Sequence, residues 1–485
     1  MKNIVIYNSL TREKEVFKPI NSKEIGMYSC GPTVYNYAHI GNFRAYIFSD
    51  LLRRVLEDYG YNVKLVMNLT DVDDKTIKNS KENHISLNDY TKKYKEAFFE
   101  DIKILGIKKA SVNPAATEHI KEMIDIIELL KKNGHTYESE GSVYFKIGTF
   151  SKYGELANLD KQELLDGASG RVLNDEYDKE NASDFVLWKA YTEDDGDIYW
   201  DSPFGKGRPG WHIECSAMSC KYLGKHFDIH TGGVDNKFPH HENEIAQNEA
   251  AFNEKFVNYW LHCEHLIVDG EKMSKSKGNF YTLRDLLDKG LSPEAIRYSL
   301  INSHYRKQLN FTIEGIKQSQ SAIDRVNDLI FRLKDISRID SNEVNEKILK
   351  DLEVSNEKFS DSIYNDLNIS EALGILFTLI KSVNTSFEYI NINTRDEILK
   401  FIERVNNIIN CFKIGKEKEN NIDKEKNNAN NANNADEEKI NKLIEERTIA
   451  KKEKNYKKAD EIRNELLSMG IEIMDTPQGV KLKRK

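Results

Sequence analysis

Apolar and polar positions follow two different rhythms along this chain. Between residues 24 and 72, EIGMYSCGP carries the compact apolar block of a β-strand entering a loop. GNFRAYIFSDLLRRVLEDYG then repeats apolar residues at helical spacing, with Phe43, Ile47, Leu51, Leu52 and Val55 on one side. YNVKLVMNLT reads as a buried strand, and strand–helix–strand is the building unit of a parallel α/β sheet. Residues 114–200 break this pattern, with KEMIDIIELLKKNGH helical and SVYFKIG a short strand, and read as an insertion. A second α/β half follows at about 205–295, with HFDIHTGG and HCEHLIVDG as predicted strands. Beyond Tyr305 the apolar repeat is helical through about residue 413, which predicts a helical bundle.

Residues 415–435, GKEKENNIDKEKNNANNANNA, contain one large apolar residue, Ile422, and therefore predict a linker without a core of its own. The last unit reads as helices, a short strand and a turn, with Gly470 as a helix stop. No apolar run approaches the roughly 18 residues of a spanning helix, so no membrane association is expected. MKNIVIYNSLTREKEVF returns to charge too soon for a signal peptide. Five cysteines are too few, and odd in number, for a disulfide framework, which points to a reducing cytoplasm. The net charge of −8 gives nucleic-acid binding no general support. From Arg447 to Lys485, however, eleven Lys/Arg stand against six Asp/Glu, a surplus of five. On charge alone this fits a solvated helix face as well as a phosphate-binding surface.

Three short stretches carry candidate chemistry. In FPHHENEIAQ, residues 238–247, His240 and Glu244 stand four apart and share a helix face, with Pro239 suited to the first helical position. A histidine and a carboxylate at that spacing are half of a zinc site, since zinc takes four ligands. YAHIGN, residues 37–42, falls at a strand-to-helix turn, where parallel sheets bind phosphates with free N–H groups and a positive helix end. His39 adds a donor there and Gly41 permits close approach, although a lone loop histidine is more often structural. EKMSKSKGN, residues 271–279, places three lysines in a flexible loop able to neutralise a triphosphate. Taken alone, such a loop is ordinary solvated surface.

Together, YAHIGN and a complete KMSKS at Lys272–Ser276 resemble the paired signatures of class I aminoacyl-tRNA synthetases. YSCGPTVYNYAHIGNFR, NLTDVDDKTI, DFVLWKA, GRPGWHIECSAMSCKYLG, DIHTGGVDNKFPHHENEIAQ and the terminal DTPQG are similar to the cysteinyl-tRNA synthetase family. The resemblance implies an α/β fold with a Rossmann-like parallel-sheet catalytic domain in two halves, 1–113 and 201–304. An α+β connective insertion (114–200) separates them. A helical bundle binding tRNA (305–413), the linker (414–435) and a small mixed α/β anticodon-binding domain (436–485) follow. It implies zinc ligands at Cys30, Cys215, His240 and Glu244, two of which would otherwise pass as ordinary buried cysteines. It implies a cysteine pocket near Cys30, Thr70, His230 and a mobile Trp211, and makes His241 a packing or supporting residue. For ATP with magnesium it implies His39, Gly41, Asn42, Gly233, Asp235, Lys272 and Lys275, of which His39, Asn42, Lys272 and Lys275 act in catalysis.

The expected reaction activates L-cysteine with ATP to an adenylate and transfers it to cysteine tRNA, with one zinc ion per chain and a monomeric enzyme. Rival expectations are a ligase joining cysteine to an amino sugar and a non-catalytic RNA-binding relative. Three departures stand out. Asn42 replaces the last histidine of the usual His-x-Gly-His, and Thr231 replaces a glycine of a common Gly-Gly-Gly run. Tyr456 and Leu482 stand where the family often has tryptophan.

Overall fold

The strand–helix–strand read from residues 24–72 forms as β1 (Ile25–Ser29), α1 (Ile40–Tyr59) and β2 (Val63–Met67). Phe43, Ile47, Leu51, Leu52 and Val55 of α1 are all buried. Each such side chain removed from water contributes about 1.5–3 kcal/mol before ordering costs. Gly60 ends α1 at φ 111°, a conformation that side chains bearing a Cβ rarely adopt. This computed structural model describes residues 3–159, 184–340, 342–414, 442–444, 446–451, 455–469, 471–476 and 479–484. The predicted linker beyond Ile414 and the helix stop at Gly470 lie outside the described residues.

The chain divides into two units, Met1–Ile414 and Gly415–Lys485. In the first, β3 (Phe227–Gly233) and β4 (Val257–Cys263) join β1 and β2 in one parallel sheet of order β4–β3–β1–β2. The chain moves outward from β1 to β2 and returns to the other side of β1 as β3. That reversal opens a crevice at the carboxyl ends of β1 and β3, the place where open α/β sheets bind ligands. The fourth sheet strand corrects the expectation for HCEHLIVDG. The strand in the sheet is Val257–Cys263, while Leu266–Val268 is a separate short strand paired with Leu309–Phe311.

Between β2 and β3 lie α2 (Leu87–Ile104) and an antiparallel sheet of Thr136–Ser139, Ser142–Phe145, Phe185–Ala190 and Gly207–Pro209. Its last strand leads straight into α3 (Trp211–Leu223), which returns the chain to the parallel sheet. Pro239 follows Phe238, the residue with non-helical backbone here (φ −138°, ψ 134°), although the regular helix starts three residues later. Lys237–His241 form an irregular wide turn with a cis Phe238–Pro239 peptide, and α4 begins only at Glu242, running to Phe252. After the KMSKS loop comes α5 (Leu283–Asp288).

Four bundle helices, Ile313–Leu333, Glu343–Ile363, Ile369–Thr385 and Ile392–Ile409, share one apolar core with α1. Asp50 of α1 accepts from Arg54 at 2.8 Å and Arg297 at 2.5 Å, and the two guanidiniums reach the carbonyls of Asn407 and Ile409. Burial alone would raise the Asp50 pKa, but Arg297 and Arg54 outweigh it and hold the carboxyl below its ordinary value. The second unit packs the helix Tyr456–Ser468 on an antiparallel hairpin, Ile471–Thr476 with Gly479–Arg484, around Ile462, Leu466, Ile471 and Ile473. A hairpin thus stands where a single strand and a turn were expected. No described helix is long and apolar enough to cross a membrane.

Candidate active site

Cys30 follows the last residue of β1, Cys215 lies on the second turn of α3, His240 in the wide turn, and Glu244 in the first turn of α4. One donor atom from each lies within 4.8 Å of all the others. His240 Nε2 is 3.4 Å from Cys215 Sγ and 3.2 Å from Glu244 Oε1. Tetrahedral zinc with bonds of roughly 2.0–2.3 Å separates its ligand atoms by about 3.3–3.8 Å, so the spacing fits. Glu244 Oε1 is buried without a hydrogen-bond partner, a costly arrangement unless something positive completes it.

A second grouping, Cys30, His230, His241 and Glu244, shares two of these residues. Its histidines contact the two shared donors. His230 Nε2 meets Glu244 Oε2 at 3.0 Å, leaving the other oxygen, Oε1, directed at His240. His241 Nε2 is 3.2 Å from Cys30 Sγ, while its Nδ1 meets His262 Nε2 at 2.9 Å, and His262 Nδ1 meets Ser9 Oγ at 2.8 Å. His212 Nδ1 lies 2.9 Å from His240 Nδ1, so the Nε2 of His240 is the nitrogen turned toward Cys215. Support of this kind fixes a ligand's ring orientation.

The cluster is largely buried, and that burial favours the neutral forms of its histidines, Glu244 and Cys30. Burial lowers His212, His230 and His262 to about 3, and carries His240 and His241 well below their ordinary value. Burial likewise raises Glu244, and the Cys30 thiol is pushed up by its hydrogen bond with Cys215 and by burial. A bound cation favours the ionised forms of Cys30 and Glu244, while His240 binds as the neutral imidazole that burial already favours.

Thr70 donates to Glu214 Oε2 at 2.9 Å and accepts from Asn68 Nδ2 at 3.2 Å, while Asn68 Oδ1 accepts from the Gly31 N–H at 2.8 Å. This chain joins Thr70 to the segment beside Cys30. A Cβ on Gly31 would meet the Asn68 carbonyl oxygen at 1.7 Å, so only glycine fits there. Trp211, 46% exposed, lays its ring 4.4 Å from that of His240. Sequence reading did not single out Glu214, His212 or His262. The first two flank Trp211 and Cys215 in GWHIECS and sit in the same helical turn, a usable signal; His262 in a continuous apolar strand offers none.

On the other side of the crevice, His39 caps α1. Its Nδ1 accepts from the Asn42 N–H at 3.2 Å, and Asn42 Oδ1 accepts from the His39 N–H at 3.1 Å. Asn42 therefore closes a reciprocal cap that a histidine in its place would not make in this form. Thr231 sits in β3 without positive φ, and its hydroxyl meets Ser49 Oγ at 2.8 Å, which in turn meets Ser29 Oγ at 3.1 Å. Gly233 ends β3 and Asp235 lies in the following turn.

The KMSKS loop is held from behind by Asn279, whose Oδ1 accepts from the Ser274 N–H and whose Nδ2 reaches the Lys272 carbonyl. Phe280 packs edge-on against His39, and the Ile40 N–H donates to the Tyr281 carbonyl at 3.0 Å. The two signature segments are thus adjacent. A Cβ on Gly41 would lie 3.5 Å from the Met273 methyl. Lys272 is exposed; the side chains of Lys275 and Leu482 lie outside the described residues. Tyr456 opens the helix of the second unit and is 63% exposed.

Comparison with known proteins identifies the family and the fold. A family model described as tRNA synthetases class I (C) catalytic domain matches residues 16–321, and one described as the cysteinyl-tRNA ligase anticodon binding domain matches 437–481. The chain is 90% identical over 485 residues to a cysteine–tRNA ligase of Brachyspira hyodysenteriae, covering both proteins fully. It is 45% identical over 492 residues to the one of Protochlamydia amoebophila, covering 100% of this chain and 99% of the relative. Among solved structures, a Mycobacterium tuberculosis methionyl-tRNA synthetase in complex with methionyl-adenylate shares the fold, with TM-score 0.61 and 12% identity over 80% of this chain and 92% of that one. By its fold, its two matched family models and its full-length relatives, the chain belongs to the cysteine–tRNA ligase family of class I aminoacyl-tRNA synthetases.

Proposed function

We propose that the crevice between β1 and β3 activates L-cysteine with ATP and passes it to the 3′ end of cysteine tRNA, with zinc at Cys30, Cys215, His240 and Glu244 selecting the substrate thiol. The observation that carries this reading is the four-donor cluster itself, drawn from remote segments to the end of the strand that feeds His39. Zinc held there supplies a soft Lewis acid to which a thiolate binds strongly and a hydroxyl poorly. A pocket shape separating two side chains that differ by about one atom supplies only roughly 1–3 kcal/mol, so the donor set is what makes serine a poor substrate.

The chain's own residues do the rest. Thr70 and His230 border the bound amino acid, and Trp211 covers it from the half-exposed side. The Gly41 N–H, at the positive end of α1, faces phosphate oxygens, while the Asn42 N–H stays in the His39 cap. Gly233 and Asp235 bind the nucleoside. Cysteine's carboxylate attacks the α-phosphorus, and pyrophosphate leaves; Lys272 and Lys275 meet the charge that develops on it. The tRNA ribose hydroxyl then attacks the adenylate carbonyl and AMP departs. Magnesium would enter with ATP as part of the substrate and offset phosphate charge. Catalysis is positioning and electrostatics, with no protein nucleophile.

The full-length relatives and the anticodon-binding match at 437–481 favour tRNA over an amino sugar as the acceptor. The test is cysteine-dependent ATP–pyrophosphate exchange followed by charging of cysteine tRNA. Both are expected; absence of exchange with zinc and magnesium supplied would overturn the reading.

A further inference from the structure

Arg284 lies on α5, eight residues beyond the end of the KMSKS loop, and reaches back toward the other signature. Its guanidinium stacks on the ring of Tyr37, 5.0 Å from the centroid. Its Nη2 is 2.8 Å from Glu100 Oε2 and 3.3 Å from Asp101 Oδ1, both on α2. The Glu100 pair is exposed and worth little. The Asp101 contact is different. Asp101 is 1% exposed, and neither of its carboxylate oxygens has a hydrogen-bond partner, so Arg284 compensates a buried charge.

α2 also grips the YAHIGN loop directly. Tyr90 donates its hydroxyl to the Tyr35 carbonyl at 2.7 Å, and Tyr94 packs edge-on against Tyr37 at 5.4 Å. One helix therefore holds the residues just ahead of His39 and, through Arg284, the root of the KMSKS loop. From Arg284 the connection runs along α5 to Thr282, which bridges His39, then to Tyr281 on Ile40 and Asn279 on the loop. Every link is a short contact between neighbouring segments.

We propose that Arg284, clamped between Tyr37 and Asp101, is a positioning residue for nucleotide chemistry: it fixes the lysine loop in register with His39. Arg284 need not touch the nucleotide. Its planar fork and stacking face suit it to join an aromatic ring and a carboxylate at once, which lysine does poorly. The proposal rests on the adenylate-forming reading above.

The test uses the full chain loaded with zinc. Arg284→Gln, Arg284→Lys and Tyr37→Leu are compared by ATP–pyrophosphate exchange with cysteine and ATP varied separately, by zinc content and by thermal melting. Arg284→Gln is expected to lower kcat/KM for ATP by about tenfold or more, since small misplacements of a positioned group carry losses of that order. The KM for cysteine and zinc content stay at wild-type values, the melting temperature falls because Asp101 loses its compensating charge, and Arg284→Lys recovers part of both losses. Combining Arg284→Gln with Tyr37→Leu adds little further loss, because both break one clamp. Unchanged ATP kinetics in Arg284→Gln would overturn the proposal. So would an equal loss for cysteine and ATP, which marks a merely structural role. Absence of exchange in the wild-type protein would overturn the adenylate reading instead.

Discussion

The donor cluster around Cys30, Cys215, His240 and Glu244 is buried, and the groups whose titration is shifted there are held neutral, whereas the loop carrying Lys272 is exposed and cationic. In the first, three of the four donors are oriented by a further side chain: His212 behind His240, His230 beside Glu244 and His241 beside Cys30. In the second, order comes from backbone contacts and one asparagine, while Lys272 is exposed. Rigid, desolvated groups suit a choice between two similar substrates, because any misfit leaves buried atoms unpaired. A flexible cationic loop suits a charge that appears only as pyrophosphate departs.

The contrast breaks most visibly at the cluster. Glu244→Gln or Cys215→Ser is expected to lower metal affinity by more than about a hundredfold, beyond the 10–100-fold typical of supporting residues, with cysteine-dependent exchange falling alongside. Metal analysis after dialysis checks this. Lys272→Ala should act on the other arm only: kcat for exchange falls by about 10²–10³-fold while zinc content and cysteine KM hold steady. A variant that lost metal as well would show that the two arms are not separate.

A pH effect sharpens the comparison at the base of the lysine loop. Burial raises the Asp101 carboxyl to about 6 despite Arg284 nearby. Because the folded value lies above the unfolded one of about 3.9, the unfolded chain releases this proton first, and the group's contribution to stability falls as pH rises between about 4 and 6. Melting temperatures of Asp101→Asn and wild type should therefore diverge in favour of the variant from pH 4.5 to pH 7; a constant difference would show that Asp101 does not titrate in this window. The smallest change is expected from Ser49→Ala, which cuts the hydroxyl chain linking β1, α1 and β3. It should cost about 1 kcal/mol in denaturant melts and leave exchange rates within twofold.

Much of this was legible from the chain alone where period and spacing act locally. The α1 pattern placed its buried face correctly, and His240 with Glu244 implied half a metal site. Cys30 and Cys215 were legible only by family resemblance. Their approach depends on β1 and α3 meeting across an insertion, and no local cysteine spacing marks it. His262 was hidden because β4 is buried on both faces and reads as a continuous apolar run, which also displaced the predicted strand toward Leu266–Val268. The break before Pro239, at Phe238, fits a proline at the start of a helix, but the wider winding of Lys237–His241 ahead of the regular α4 at Glu242 had no sign in the sequence. Asn42 carried no sign of its role until its amide was seen to close the cap with His39.

Selection of sulfur by the donor cluster is tested most directly by the ratio of cysteine- to serine-dependent ATP–pyrophosphate exchange, measured on zinc-loaded protein and again after chelation. The loaded protein should favour cysteine by about 10⁴-fold or more, and stripping the metal should collapse that preference toward the roughly 10–200-fold that shape alone provides. A stripped protein that still separated cysteine from serine by the full ratio would contradict it.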